Sequence, residues 1–352
     1  MAARRRITLA DVARRAGTTV PTVSKVLNGR ADVSAELRSR IMGILEEVDY
    51  RRRPGNGAVG HDVSGLRAGG QRAVGQLGTA ALVDLVLSSV EGTWSNRALS
   101  GVESAAVQAG VDLVVSVARV PDDAWLARLL ARNLRGAVLA LVDTTGPQLA
   151  TLAAANVPVV LLDPVRQPPE SVASVGATNW GGGRAAAEHL IALGHTRFAV
   201  IGGRREHLYS QARIDGFRSA VLNGSLELPA DRVVHADWRR ADAAALSADL
   251  LRTAARPTAI FACSDTMALG VYDAAAELGL GIPDEVSVVG FDDLPEAQWM
   301  RPQLTTVQQP IAEMGAAALR MLLRIRSGAH PNVLREELAT TLVVRGSTGK
   351  AR

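Results

Sequence analysis

The chain carries one cysteine, Cys263, in 352 residues. A lone thiol cannot build an internal disulfide framework, and such scarcity fits a reducing compartment. Nowhere is there a run of about 18 apolar residues, the length that a membrane-spanning helix needs. The opening "MAARRRITLADVARRAG" has arginines but no continuous apolar segment behind them. The expectation is therefore a cytoplasmic location and no membrane partner. Catalytic signatures are missing as well. His61, His189, His195, His207, His235 and His330 show neither H-x-x-x-H nor a Cys/His metal spacing. No G-x-S-x-G elbow and no Walker A glycine loop occurs, and the carboxylates are scattered. A single G-x-G-x-x-G stands at Gly55, Gly57 and Gly60, but "RRRP" precedes it where a strand is required. No apolar helix follows it, so its dinucleotide reading lapses. These absences predict a protein that is not an enzyme and that takes no metal or cofactor.

What is present is unevenly distributed. Residues 1–53 hold twelve Arg and Lys against six Asp and Glu, whereas the remainder carries 27 basic and 29 acidic residues. A basic head on a near-neutral body points to a polyanion at one end, with a solvated charged tail as the plainer alternative.

Periodicity separates those two readings. In "ITLADVARRAG", Thr8 can cap a helix with Asp11 at the capping-box spacing, and Ile7 and Val12 stand at staple spacing. Leu9, Val12, Ala13 and Ala16 make the inner stripe, and Gly17 supplies the left-handed residue that ends the helix. The chain restarts at Thr19 as the next cap. Pro21 then falls in the first turn, where its missing N–H costs little. Ser34 caps a third helix with Leu37, Ile41, Ile44, Leu45 and Val48 inside. Two short helices across a tight glycine turn, with a third behind, form an all-α helix-turn-helix head. Its second helix would enter the major groove of double-stranded DNA. There Lys25 can donate to guanine, while Val20 and Pro21 can touch a thymine methyl. Thr8, Thr22, Ser24 and Asn28 suit phosphate oxygens.

"ITLADVARRAGTTVPTVSKVLNGRADVSAELRSRIMGILEEVDY" resembles the DNA-binding head of the lactose/galactose-repressor family. The elements T-x-x-D-V-A-x-x-A-G, T-V-S-x-V-L-N and D-V-S stand in order, and the resemblance runs through nearly the whole chain. It breaks in the segment between head and body. Eight of the 28 residues from Pro54 to Ala81 are glycine, which argues for loop. The family has a short hinge helix there whose leucine wedges into the minor groove, and "GLRAGG" nominates Leu66 for that part. A helix over residues 62–68 formed only on DNA competes with a flexible tether. The organisation read from the chain is a helix-turn-helix domain over 1–53, a Gly-rich linker over 54–81 and a two-lobed body over 82–348.

From Leu82 onward, apolar runs such as "LVDLVL", "VVLLD", "RFAVIGG" and "VSVVGFDD" alternate with amphipathic helices in two series. That alternation means parallel sheets covered on both faces and two α/β lobes with a cleft between them. The pattern resembles the type I periplasmic-binding-protein fold. In such sheets ligands lie beyond the carboxyl ends of the strands. Strand ends nominate Trp94, whose indole suits a sugar face, although core packing explains it equally. Asn179 and Trp180 in "GATNWGGG" could line the cleft, or the glycines could simply form a turn capping the next helix. By resemblance Arg213 binds effector hydroxyls or acids; a solvated helix arginine is the alternative. Asp265 follows a buried strand and opens a helix, where it could accept from ligand hydroxyls or merely favour the helix dipole. Asp292 is a similar candidate, and Trp299 resembles a stacking residue beyond it. Where the family usually has Asn, this chain has Ser264.

Together these features predict a dimeric transcriptional repressor, controlled by a carbohydrate-like small molecule between its lobes. A sugar-metabolising enzyme and a transport receptor are the other readings. The first lacks catalytic spacing, and the second leaves the basic head unexplained.

Overall fold

The computed structural model describes residues 9–27, 33–47, 81–119, 123–132, 136–328 and 334–352. The chain divides into two compact units, residues 1–73 and 74–352. The linker over 54–80, Leu66 and the helix expected at 62–68 lie outside the described residues, as do Thr8 and Asn28.

In the first unit α1 (Leu9–Arg15), α2 (Val20–Leu27) and α3 (Ala35–Glu47) close around Val12, Ala13, Ala16, Val23, Val26 and Ile41. Gly17 does take a left-handed φ of 67°. The amide of Thr18 returns to the Ala13 carbonyl at 2.9 Å, so the turn closes on the end of α1. Ser34 lies one residue before α3 and its hydroxyl accepts from the Leu37 amide at 3.4 Å, as its cap spacing predicts.

The second unit begins with β1 (Ala81–Leu87), α4 (Thr93–Ala109), β2 (Val111–Val117), α5 (Ala124–Ala131) and β3 (Ala137–Ala140). There follow α6 (Gly146–Ala154), β4 (Val159–Leu162) and β5 (Ala173–Ala177). The chain then builds a second lobe from α7 (Asn179–Ala192), β6 (Phe198–Gly202), α8 (Leu208–Asn223), β7 (Val233–His235) and α9 (Arg240–Leu251). It continues through β8 (Ala259–Ala262), α10 (Asp265–Glu277), β9 (Ser287–Asp292), α11 (Glu296–Trp299) and β10 (Thr305–Gln308). Finally α12 (Ile311–Arg326) and β11 (Arg335–Leu338) return to the first lobe, and β12 (Thr341–Val343) to the second.

Among the described residues there are two six-stranded sheets, in the orders β11-β5-β4-β3-β1-β2 and β12-β10-β9-β8-β6-β7. The pairs are parallel except β10 with β12, which is antiparallel. Strands β3, β6, β8 and β9 are buried throughout, which explains their unbroken apolar runs. The chain passes between lobes three times, after β5, after β10 and after β11. Two of these crossings are stitched together. Thr340 donates its amide to the Thr178 hydroxyl at 2.9 Å, and Thr178 donates its own amide to the Leu338 carbonyl at 2.9 Å.

Candidate functional site

In the head, the polar face of α2 is available and its apolar face is spent on the core. Val23 and Val26 are buried; Pro21 and Lys25 are exposed, and Val20 is 39% exposed. The hydroxyls of Thr19 and Thr22 pair at 3.0 Å across the first turn. The expected readers thus stand on one solvent-facing surface of a short helix, with Thr22 half-buried beside them. The Ser24 side chain lies outside the described part of the helix.

The body has a cavity of about 660 Å³ between its lobes, at the carboxyl ends of the strands. The first lobe contributes Trp94 from α4 and Asp163 just past β4; the second contributes Tyr209 and Arg213 from α8, Trp238 after β7, and Asp292 at the end of β9. Arg213 is the hub. Its Nε donates to Asn179 Oδ1 at 2.8 Å and its Nη1 to the Cys263 carbonyl at 2.6 Å. Nη1 also lies 3.4 Å from Asp292 Oδ1, and the guanidinium carbon sits 3.7 Å from the centroid of the Phe291 ring. The side chain is almost wholly buried, so the dull alternative of a solvated arginine is gone.

The glycines of "NWGGG" turn out to serve this hub. They lie inside α7, where a Cβ on Gly183 would meet the Arg213 carbonyl oxygen at 2.0 Å. Across the crossing, a Cβ on Gly216 would meet the Trp180 carbonyl oxygen at 1.9 Å. Only glycine lets α7 and α8 approach closely enough for Asn179 to reach Arg213.

Two aspartates face this arginine from opposite lobes, and both have backbones that L-residues rarely adopt: Asp163 at φ 51° and Asp292 at φ 115°. Such strain persists only when the surroundings impose it, and it gathers at functional sites. Burial pushes the Asp163 carboxyl up to about 6, against the pull of Arg213. Burial likewise pushes Asp292 up to about 7, with Arg213 opposing and Asp163 adding to the rise. One cation shared by two buried carboxylates leaves room for a proton or for hydrogen-bond donors from a ligand.

An aromatic wall closes the second-lobe side. The Trp238 Nε1–H donates to His207 Nδ1 at 3.0 Å, and the Tyr209 hydroxyl meets the same nitrogen at 2.9 Å. Because indole can only donate, His207 Nδ1 is the acceptor and its proton resides on Nε2. Burial holds the His207 pKa below its usual value, with Arg204 contributing. At the rim, Arg204 grips Asp237 and Arg166 grips Asp143 through two bonds each.

Of the body residues expected from sequence, Trp94, Arg213 and Asp292 line this cavity and Asn179 buttresses it. Trp180 lines a neighbouring cavity of about 510 Å³ along the side of α7, together with Asn179, and this cavity shares Asp163 and Tyr209 with the first. Two expectations are corrected. Asp265 opens α10 as predicted, but both its oxygens are consumed inside the protein, by the Thr306 hydroxyl and the Leu294 amide, and it does not line the cavity. Trp299 ends the four-residue α11, whose buried side is Ala297; the indole is 70% exposed and away from the cavity. Ser264 lines the cavity and caps α10, its hydroxyl accepting from the Met267 amide at 3.1 Å. Asp163, His207, Tyr209 and Trp238 were not singled out from sequence. The strand-end position of Asp163 in "VVLLDP" was the available signal for one of them.

A helix-turn-helix unit together with a two-lobed body enclosing a polar, aromatic-walled cleft defines a ligand-responsive DNA-binding regulator. Comparison with known proteins agrees. Residues 8–53 match the bacterial regulatory proteins of the lacI family, and residues 187–348 match the periplasmic binding protein-like domain. The "HTH-type transcriptional repressor PurR" of Vibrio vulnificus is 30% identical over 97% of this chain and 99% of its own length. The "Ribose operon repressor" of Halalkalibacterium halodurans is 29% identical over 97% of both. Among solved structures, the lac repressor dimer bound to operator and the anti-inducer ONPF has a TM-score of 0.73, with 26% identity over 98% of this chain and all of that one. The complex of the transcriptional regulator CelR with cellobiose has a TM-score of 0.72, with 29% identity over 97% and 100%. The chain belongs to the lacI family of bacterial regulatory proteins, and it is a DNA-binding transcriptional repressor with a small-molecule effector.

Proposed function

We propose that the effector is a carbohydrate, bound between the lobes by Asp163, Arg213 and Asp292 against the Trp94 and Trp238 faces. The observation that carries this reading is the pairing of two buried, strained carboxylates with one arginine beside an aromatic wall. Carboxylates accept from ring hydroxyls, while indole and phenol faces cover the C–H side of a sugar ring. Arg213 makes its bonds within the protein through Nε and Nη1, and Nη2 is the donor offered to a ligand oxygen. His207 Nε2–H is a second such donor.

In the same reading, Lys25 contacts a base edge in each operator half-site, Val20 and Pro21 give apolar contact, and Thr22 and Ser24 hold phosphates. The chain works as a homodimer because a two-fold operator requires two heads. Thermal-shift screening of neutral mono- and disaccharides against the full chain, followed by operator titration with each sugar that stabilises it, tests the proposal. A sugar that raises the melting temperature and changes operator affinity supports it. A screen in which no sugar stabilises the chain would refute the carbohydrate assignment.

A further inference from the structure

Asp265 is a fully buried carboxylate that the cavity does not use. Burial pushes its carboxyl well above the ordinary range, against the opposing hydrogen bonds from the Thr306 hydroxyl and the Leu294 amide. Oδ1 accepts from the Thr306 hydroxyl at 2.5 Å and Oδ2 from the Leu294 amide at 2.7 Å. Fit around it is tight enough that a Cβ on Gly290 of β9 would meet Oδ1 at 2.4 Å.

The amide it holds belongs to an unusual segment. Asp292 and Asp293 are consecutive non-glycine residues with positive φ, at 115° and 53°. Each carboxylate has a separate employment. Asp292 lines the cavity, and its Oδ1 accepts from Gln309 Nε2 at 2.9 Å. Asp293 accepts from Arg345 Nη2 at 2.6 Å, just past the edge strand β12, and from Gln308 Nε2 at 2.8 Å, at the end of β10.

The same segment is keyed into the first lobe. Leu294 packs in the core beneath α4 and α12. Arg97 Nη1 of α4 donates to the Asp293 carbonyl at 2.9 Å, and the Thr93 hydroxyl donates to Glu296 Oε1. Trp94, whose indole lines the cavity, lies between those two residues in the first turn of α4. Five residues thus touch the cavity, the second lobe and the first lobe in succession.

We infer that Asp265 is a positioning residue: through the Leu294 amide it holds residues 292–296 as one rigid piece that joins the effector cavity to the first turn of α4. This rests on the cavity being the effector site. It assigns to that segment the transmission of a cleft event from Asp292 to Trp94 and the first lobe.

Hydrogen exchange on the full-length, ligand-free chain tests it, using one disruptive and one conservative variant. Asp265→Ala removes the acceptor, whereas the side-chain oxygen of Asp265→Asn can still take the Leu294 amide while its NH2 turns to the Thr306 hydroxyl. Exchange in a peptide covering 293–299 is expected to quicken at least tenfold in Asp265→Ala, and that in a peptide covering 93–102 at least threefold. In Asp265→Asn both are expected to stay within threefold of wild type. If Asp265→Ala quickens exchange only in α10 and its own lobe, with 93–102 unchanged, the proposal is overturned. It is also overturned if Asn fails to rescue. Should Asp265→Ala not fold, the half-buried Arg97→Ala tests the same link from the other side. It should quicken 293–299 several-fold, and no change there would contradict the proposal. These measurements need no sugar, so a failed carbohydrate screen and a failed coupling give distinct results.

Discussion

The head and the cleft hold the side chains proposed for them in opposite ways. In the head, Val20, Pro21 and Lys25 stand in solvent on an eight-residue helix whose other face makes a small core. In the cleft, Asp163, Arg213 and Asp292 are buried, two of them on strained backbone, and Arg213 and Asp292 are tied to the fold by several bonds. A polyanion brings its own countercharge to exposed groups, so the head needs little preorganisation. A small ligand between two lobes must meet groups already in place, and the fold must bear the cost of holding them there. Substitutions in the head should therefore register in DNA binding alone. Those in the cleft should register in stability and ligand response together.

Arg213→Ala should give the largest effect. It leaves Asp163 and Asp292 facing each other without the guanidinium, and removing one partner of a buried charged cluster costs about 3–5 kcal/mol. Because both carboxyls can take up a proton, the loss of melting temperature should be smaller at pH 5 than at pH 8. The response of operator binding to sugar should vanish, while operator affinity without sugar stays near wild type. A normal sugar response in this variant would remove Arg213 from the site.

Lys25→Ala comes next. It should cost about 1–3 kcal/mol at the operator and relax preference at one base pair per half-site, with an unchanged melting temperature of the body. An equal loss on random duplex DNA would make Lys25 a phosphate contact instead.

The acid-dependent term is smaller and has a definite sign. Asp163 and Asp292 titrate higher in the folded chain, near 6 and 7, than the ordinary 3.8 of an unfolded one. Their contribution to stability is fully present below about pH 4 and is lost as pH rises through those two values. Asp143 and Asp237, held low by hydrogen bonds from Arg166 and Arg204, act in the opposite sense but below that window. His189, His195 and His207, which burial holds below their usual value, act in the opposite sense inside that window, so the aspartate contribution is read as a difference: between pH 5 and 7.5 the melting temperature should fall more, or rise less, in wild type than in Asp292→Asn. Identical slopes in the two proteins would count against the buried pair. Trp299→Ala should do least. With its indole 70% exposed, a change within about 0.5 kcal/mol and an intact sugar response are expected.

The head was legible because its signals are local. Gly17, Ser34 and the stripes of α1, α2 and α3 each speak within a few residues, and the structure uses them as the spacing implies. Buried parallel strands were legible for the same reason, since an apolar run is a local property. Helix α9, "RADAAALSADLL", gives no signal in the sequence because its alanines draw no clear apolar stripe. The β10–β12 antiparallel pair depends on a chain return that no short stretch encodes. In the cleft, position beyond a strand found Asp292 and missed its counterpart Asp163. Asp265 shows the limit of that rule. Two carboxylates at strand ends look alike in sequence, and only the partners beneath the sheet, Thr306 and the Leu294 amide, decide which one is turned inward.

The direct test of the proposal that a sugar cleft is coupled to a DNA-reading head is a reciprocal titration. Operator affinity is measured with and without a sugar that stabilises the protein, and sugar affinity with and without operator, in wild type and Arg213→Ala. Thermodynamic linkage predicts that the two affinities shift by one common factor, of the order of 5- to 150-fold, in wild type. In Arg213→Ala no factor should remain. A sugar that binds the wild-type cleft while operator affinity stays unchanged would contradict the account.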